Sequence, residues 1–280
     1  MKQVAAIIPN YNYAHYLERR VDSILQQTYP ISELIILDDC STDDSKAVIK
    51  ELFTKLKQSH PKLKLKAVFN QKNSGSVFKQ WEKGIELAES PYIWICEADD
   101  LSEPTFLTEA MKGFEDKQTV FSYTNSKIID ENDKRPLKDN LRQRVLNQIR
   151  EGNIFRSSYI LDGKDIIRES LAYYDTIPNA SALVFKKSDT VAKAIDEAKN
   201  YRLSGDWIFY LVMAASGKVA YSRKALNLHR ISSTSVTGST SFEKRLEEMK
   251  RIHARAAELA DLTDAQVEKM RHYEQKLSAK

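Results

Sequence analysis

Three carboxylates stand within four residues in the segment Glu97–Asp100 (sequence EADD), directly after the apolar run Tyr92–Cys96. Their charges repel one another and no basic residue is close in sequence, so a role limited to capping the next helix fits them poorly. A hard divalent cation, Mg²⁺ or Mn²⁺, would offset the repulsion, because these ions prefer carboxylate and phosphate oxygens. The segment therefore predicts a metal site that also binds a diphosphate.

Two more polar clusters follow apolar runs in the same way. The segment Pro9–Asn12 follows Val4–Ile8, and the segment Asp38–Asp43 follows Leu34–Leu37. If these runs are parallel strands, their carboxyl ends meet at one edge of a sheet, together with the acidic segment. The simpler interpretation is that polar side chains there cap the following helices, which we expect of one residue in Ser41–Asp43.

The chain has no glycine-rich phosphate loop. Its first glycine is Gly75, so no GxGxxG follows the first apolar run, and no GxxxxGK[ST] occurs anywhere. This absence disfavours a dinucleotide dehydrogenase and a P-loop NTPase. Phosphates must then be bound by a metal ion or by basic side chains.

Apolar runs and amphipathic helical patterns alternate through the first half of the chain. Most of the runs are continuous, as expected for strands buried on both faces of a parallel sheet, whereas Leu63–Phe69 alternates with lysines and belongs nearer an edge. This order predicts an α/β fold with a Rossmann-like, mostly parallel central sheet flanked by helices.

The pattern is less regular after Val120. We predict strands over Ala182–Phe185, Lys218–Ser222 and Leu226–Ile231 and helices over Gly163–Ala172, Ser188–Ala198 and Asp206–Ala215. The polar stretch 130–156 is typical of a turn followed by a loop or a mobile helix, which could form a lid over the site. From residue 239 the pattern is helical, with an apolar stripe from Leu246 to Leu259 and a capping box over Thr263–Gln266.

Bulk properties limit the location and partners of the protein. The 43 basic and 39 acidic residues leave a net charge of +4, too small to indicate nucleic-acid binding. No signal peptide and no stretch of ~20 apolar residues is present, and the two cysteines form no pairing motif, so we expect a cytoplasmic protein without a transmembrane segment. The basic C-terminal helices permit peripheral contact with the inner face of the membrane, or a homodimer.

Several segments resemble family 2 glycosyltransferases, which have the GT-A fold. The similar segments are Ile7–Asn12 (IIPNYN), Ser23–Thr28 (SILQQT), Leu37–Asp43 (LDDCSTD), Asn73–Ser76 (NSGS), Glu97–Asp100 (EADD), Asn179–Ser181 (NAS) and Gly205–Trp207 (GDW). The resemblance implies a GT-A domain over residues 1–238, with a nucleotide-binding half over about 1–118 and an acceptor-binding half over about 119–238. Residues 239–280 would form a C-terminal helical extension.

The resemblance also implies how the nucleotide of the donor is bound. Asp39 would accept a hydrogen bond from the base, for which uracil N3–H is the usual partner. Pro9, Tyr11 and Asn12 would line the nucleoside pocket. The donor implied is a nucleotide-sugar, with a UDP-sugar as the first expectation.

Three carboxylates receive roles near the sugar and the metal. Asp99 would be the ligand of Mn²⁺ or Mg²⁺, and Glu97 would lie near the ribose or the metal-bound waters. Asp206 would be the general base. Without the family, the alternative for Asp206 is an acidic residue in the first turn of a helix, stabilised by the helix dipole.

Two basic residues would complete the site. Arg230 fits a phosphate contact. His229 would be a metal ligand or, alternatively, a structural residue, because relatives often carry a histidine two positions after the arginine, where this chain has Ser232.

The function predicted from the sequence is metal-dependent transfer of a sugar, with inversion, to a hydroxyl of a glycan or lipid-linked acceptor in cell-surface polysaccharide synthesis. The first alternative is a non-catalytic module that binds nucleotide-sugars or acts as a scaffold. The second is a nucleotidyltransferase, which the segment Pro9–Asn12 disfavours because it is not a basic, glycine-rich loop.

Overall fold

The computed structural model describes residues 1–134, 154–231 and 242–278. Within these residues nine strands form one sheet in the order β3-β2-β1-β4-β8-β6-β9-β5, and β7 pairs with β9. The strands are β1 (Val4–Asn10), β2 (Glu33–Asp38), β3 (Lys64–Phe69), β4 (Tyr92–Ile95), β5 (Leu101–Ser102), β6 (Thr119–Ile129), β7 (Tyr159–Asp162), β8 (Leu183–Lys186) and β9 (Lys218–Arg230).

Helices cover both faces of the sheet. They are α1 (Ala14–Leu25), α2 (Ser45–Ser59), α3 (Val77–Leu87), α4 (Phe106–Lys112), α5 (Gly163–Ile166), α6 (Asp189–Ala198), α7 (Gly205–Ala214), α8 (Phe242–Ala260) and α9 (Asp264–Ser278). Residues of α1, α2 and α4 build the core on one face, and residues of α3 and α5 to α9 build the core on the other. This three-layer arrangement is the predicted α/β architecture.

The first four strands in the sheet order are parallel, as the sequence predicts. Every residue of β1 and β2 is buried, because each strand has helices on both sides. The strand β3 lies at the edge, which confirms the interpretation of its alternating lysines. The carboxyl ends of β1, β2 and β4 therefore meet at one edge of the sheet.

The other half of the sheet is mixed, and here the sequence prediction is less accurate. The strand β8 runs antiparallel to both β4 and β6, whereas β6 and β9 are parallel. Where the sequence predicts two strands, β9 is continuous, because a bulge accommodates the exposed residues Arg223 and Lys224 without ending the strand. The short edge strand β7 is not predicted.

The C-terminal helices pack on the sheet domain through the predicted apolar stripe. Met249, Ile252 and Ala256 are buried against the core that contains α7. The predicted capping box opens α9, where Thr263 N donates to Gln266 Oε1 at 3.0 Å. Among the described helices, none is long and apolar enough to cross a membrane.

Some predictions fall on residues that the structure does not describe. Most of the polar stretch 130–156, the residue Ser232 and the boundary between residues 238 and 239 lie outside the described ranges. The domain limits 1–238 and 239–280 therefore stay predictions.

Candidate functional site

The loops that follow β1 and β2 are joined by hydrogen bonds. Asn10 Nδ2 donates to Asp38 Oδ1 at 2.8 Å, and Asn12 Oδ1 accepts from Thr42 N at 2.7 Å. Asn12 and Cys40 have φ angles of 61° and 63°, a left-handed conformation that makes each chain turn sharply at the strand end. The two loops thus form one rigid surface at the carboxyl edge of the sheet.

Asp43 confirms the expected helix cap in this region. Its Oδ2 accepts from the backbone N–H of Ala14 at 2.9 Å, and its Oδ1 accepts from that of Ser45 at 3.0 Å. One side chain therefore satisfies the first residues of both α1 and α2. The residues predicted to line the nucleoside pocket lie beside it: Pro9 is buried at the end of β1, and Tyr11 is 46% exposed.

Asp39 is buried and organises the loop before α3. Its carboxylate accepts from Asn70 Nδ2 at 2.6 Å, from Ser74 Oγ at 2.7 Å and from Gln80 Nε2 at 3.0 Å. These donors satisfy the carboxylate oxygens of a residue that is only 5% exposed. Asp39 directly follows β2, so these hydrogen bonds also connect the end of β2 to the start of α3.

The acidic segment after β4 is held by hydrogen bonds from α3 and from the opposite half of the sheet. The backbone N–H of Glu97 donates to Ser181 Oγ at 3.0 Å, and Trp81 Nε1 donates to Glu97 Oε1 at 3.2 Å. Asp100 is buried, accepts from the backbone N–H of Arg230 at 2.9 Å and accepts from Asn179 Nδ2. Asp100 is therefore a structural member of the cluster, whereas Glu97 and Asp99 are partly exposed.

Burial and mutual repulsion shift the titration of these carboxyls. Burial, followed by the charges of Asp99 and Asp100, raises the pKa of Glu97 to about 8. Burial and the charge of Asp100 raise the pKa of Asp99 to about 6. The same burial and negative charges raise the pKa of the nearby Tyr13 phenol, a neighbour that the sequence analysis missed.

No basic residue is near this segment in sequence, but Arg20 is close to it in space. Arg20 of α1 is fully buried below it, with its guanidinium 5.2 Å from the centre of the Trp94 ring and Nη1 3.1 Å from Ser102 Oγ. Its positive charge lowers the pKa of Asp100 and of Glu97, against the larger effect of burial. No sequence signal identifies Arg20, because it lies about 80 residues from its partners along the chain.

Arg230 and His229, at the end of β9, lie close enough to Asp99 for their charges to act on its carboxyl. Both lower the pKa of Asp99, which is raised overall. The guanidinium of Arg230 donates to the backbone oxygen of Asp99 at 2.6 Å, lies 4.5 Å from the centre of the Tyr16 ring and forms an ion pair with Asp133. A phosphate contact would thus require Arg230 to exchange a protein partner for the phosphate.

The carboxylate of Asp99 is one oxygen ligand of the kind that a hard divalent cation prefers. Within the described ranges no side chain donates a hydrogen bond to the Asp99 carboxylate, and burial opposes its ionisation. Within the same ranges no group of three or more His, Cys, Asp or Glu side chains is arranged to hold a metal ion. An ion at Asp99 would therefore take most of its ligands from a bound diphosphate and water.

Asp206 stands in the first turn of α7. Its Oδ1 accepts from the backbone N–H of Trp207 at 2.9 Å. Gly205 allows α7 to pack close to α3, because the Cβ of any other residue would lie 2.4 Å from Phe78 Cε2. One turn further along α7, the ring of Phe209 meets that of Trp81 at 5.8 Å between centroids.

A family model matches this chain over residues 5–170, more than half of its length: glycosyl transferase family 2. An uncharacterized glycosyltransferase of Nostoc sp. (strain PCC 7120) is 36% identical over 134 residues, which cover 47% of this chain and 39% of that protein. The matched segments span less than half the length of the curated relatives.

Solved structures have the same fold over nearly the whole chain. Residues 1–349 of TarS from S. aureus, in complex with UDP, have a TM-score of 0.67 and 18% identity, covering 97% of this chain and 70% of that one. The mannosyltransferase PcManGT from Pyrobaculum calidifontis, in complex with GDP-Man and Mn²⁺, has a TM-score of 0.65 and 17% identity, covering 98% of this chain and 69% of that one. With the family match and this shared fold, the chain belongs to glycosyl transferase family 2 and has the GT-A architecture.

Proposed function

We propose that this protein transfers a sugar from a UDP-sugar to a hydroxyl group of a glycan or lipid-linked acceptor, with inversion at the anomeric carbon and with Mn²⁺ or Mg²⁺ bound at Asp99. The family membership supports sugar transfer from a nucleotide-sugar. The choice of uridine is supported by the structural neighbour that binds UDP.

The observation that carries the proposal is the link from the acidic segment to the helix of Asp206. Trp81 of α3 donates to Glu97 through its indole nitrogen, and its ring packs on Phe209 of α7. Asp206 lies one helical turn before Phe209. The candidate base and the candidate metal ligand thus lie on two elements that Trp81 connects, one through a hydrogen bond and the other through a ring contact.

The residues of the donor half would bind and orient the nucleotide. Asp39 stands at the end of β2 with its carboxylate held by Asn70 and Ser74, and in this proposal it accepts a hydrogen bond from uracil N3–H. The loops that contain Pro9, Tyr11 and Asn12 would line the nucleoside pocket. Their hydrogen-bonded geometry fixes the pocket before the donor binds, which lowers the entropy cost of binding.

Asp99, with His229 beside it, would hold the metal ion next to the diphosphate. When bound, the ion supplies positive charge that stabilises the leaving diphosphate. Glu97 would orient the ribose or waters near the ion, and the positive charge of Arg230 lies close enough to lower the pKa of Asp99. Arg230 would contact the diphosphate after giving up one of its protein partners.

Asp206 would remove the proton from the acceptor hydroxyl as the oxygen attacks the anomeric carbon. Attack on the face opposite to the diphosphate is a single displacement, so the configuration inverts and no carboxylate nucleophile is required. The burial of Gly205 against Phe78 holds the start of α7 close to the donor half. The geometry therefore supports one base on the acceptor side of the site.

A donor screen tests the proposal. UDP-, GDP- and dTDP-sugars are added with Mn²⁺, and the melting temperature and the release of free nucleotide diphosphate are measured. We expect UDP-sugars alone to raise the melting temperature and to be hydrolysed slowly, with chelation of Mn²⁺ abolishing both effects. A response only to another nucleotide would overturn the choice of uridine, and no response to any donor would overturn the proposal.

A further inference from the structure

Helix α8 is in direct contact with the chain segment that leads into α7. The carboxylate of Glu248 accepts three hydrogen bonds from consecutive backbone N–H groups, those of Arg202 at 2.6 Å, Leu203 at 3.1 Å and Ser204 at 3.0 Å. Glu248 itself is 9% exposed. Because one buried side chain accepts from three consecutive N–H groups, this contact fixes the backbone of residues 202–204.

Of the three N–H groups that this carboxylate binds, the last belongs to the N-cap residue of α7. Ser204 is the N-cap residue of α7, and its side chain makes no capping hydrogen bond. The N-terminus of a helix presents free N–H groups and a partial positive charge, both of which favour an anion there. Glu248 supplies that anion from a helix more than forty residues further along the chain.

Asp206 lies two residues after the segment 202–204 that Glu248 binds. The next residue, Trp207, is fixed on its other side by α8 and by the helical turn Ile167–Leu171 that follows α5. Its ring meets that of His253 edge-to-face at 5.8 Å, and its Nε1 donates to the backbone oxygen of Leu171 at 2.7 Å. The backbone that carries Asp206 is therefore fixed both before and after it. Most of this constraint comes from α8.

The docking of α8 does not depend on Glu248 alone. Arg255 forms two hydrogen bonds with the carboxylate of Glu197 on α6, at 2.9 and 2.8 Å. Arg251 places its guanidinium 4.3 Å from the centre of the Tyr201 ring. A change at Glu248 can therefore release residues 202–204 while α8 stays docked.

We propose that Glu248 is a positioning residue for catalysis, which fixes the start of α7 so that the Asp206 carboxylate is held in the orientation needed for proton removal. This inference depends on the proposed role of Asp206 as the base. It makes the C-terminal helices part of the catalytic apparatus instead of a separate extension. Misplacing a reacting group by ~1 Å costs up to ~100-fold in rate, so a loosened α7 start has a measurable effect.

The test measures hydrolysis of the most rapidly turned-over UDP-sugar with Mn²⁺, with water as the acceptor. For Glu248→Ala we expect kcat to fall by about 10- to 100-fold while KM and the affinity for UDP stay within about twofold. Glu248→Gln keeps the length of the side chain and one acceptor oxygen, so its kcat should lie between those of the wild type and of Glu248→Ala. Arg255→Ala is the matched control, because it weakens α8 docking without touching residues 202–204, and its kcat should stay near that of the wild type.

A double-mutant cycle separates positioning from a general loss of stability. If Glu248 acts through Asp206, the variant Asp206→Asn/Glu248→Ala should turn over no more slowly than Asp206→Asn alone. A further 10-fold loss in that background would overturn the inference, as would an equal loss of kcat in Arg255→Ala or a wild-type kcat in both Glu248 variants. If Asp206→Asn itself keeps full turnover, the proposed role of Asp206 as the base is wrong. If Asp206→Asn loses turnover while the Glu248 variants stay fully active, only the inference about Glu248 fails.

Discussion

The indole nitrogen of Trp81 donates a hydrogen bond to the carboxylate of Glu97 at 3.2 Å, and this bond joins the middle of α3 to the acidic segment after β4. The same indole ring packs on Phe78 and on Phe209, at 5.1 and 5.8 Å between ring centroids. Trp81 therefore lowers the pKa of Glu97, against the larger effect of burial, and connects the acidic segment to α7.

Trp81→Phe tests the first of these effects. The change keeps an aromatic ring but removes the donor to Glu97, so we expect the free energy of unfolding to fall by about 1–2 kcal/mol. Because that hydrogen bond lowers the pKa of Glu97, its loss should move the midpoint of Mn²⁺-dependent UDP binding to higher pH, measured by calorimetry. Phe78→Leu disturbs the same aromatic cluster and leaves the donor in place. An equal pH shift in Phe78→Leu would contradict this explanation.

The stability of the metal-free protein should fall as the pH rises through the range in which Glu97 and Asp99 lose their protons. The folded state raises their pKa values to about 8 and about 6, so in that range it binds more protons than the unfolded chain. The free energy of unfolding then decreases with pH up to about 8 and levels off above it. Thermal melts from pH 5 to pH 9 measure this slope.

Adding Mn²⁺ with UDP should reverse this decrease of stability with pH, because cation binding favours the ionised carboxylates. The increase in melting temperature on adding both should be larger at pH 8 than at pH 6, and calorimetry in buffers of different ionisation enthalpy should detect proton release. An increase that is independent of pH would contradict the assignment of these carboxyls to the metal site.

Asp99→Asn should separate ion binding from folding. The variant removes one of three repelling charges, so the metal-free protein at pH 8 should gain about 1 kcal/mol of stability while the Mn²⁺-dependent binding of UDP is lost. Asp100→Asn is the matched comparison: its carboxylate oxygens accept from Arg230 and Asn179, so this change should destabilise the protein. Normal Mn²⁺-dependent UDP binding by Asp99→Asn, measured by calorimetry, would rule out its role as metal ligand.

Asp206→Asn should reduce sugar transfer by a factor of about 100 to 10,000, the usual contribution of general base catalysis. The amide oxygen can still accept from the backbone N–H of Trp207, so the first turn of α7 and the affinity for UDP should be preserved. Asp189→Asn, in the first turn of α6, is the control for an interaction with the helix dipole alone. Unchanged turnover in Asp206→Asn would leave that residue with a structural role only.

The parallel half of the fold could be predicted from the sequence because its strands are buried on both faces. Continuous apolar runs such as Val4–Ile8 and Leu34–Leu37 have few other stable arrangements, and helical patterns between them impose a parallel order. The mixed half was predicted less well. The bulge at Arg223 and Lys224 looks like a turn in the sequence, and the strand β7 lies at an edge where its apolar side chains stay partly exposed.

What the sequence determined by itself was the local chemistry: carboxylates at the ends of strands β2 and β4, and an aspartate in the first turn of a helix. Only the tertiary structure decided the environment of each carboxylate. It brought Arg20 beneath the acidic segment, enclosed Asp39 with donors and placed Glu248 at the start of α7. The physical reason is that desolvation and charge interactions depend on distance in space, and the partners here are separated by tens of residues along the chain.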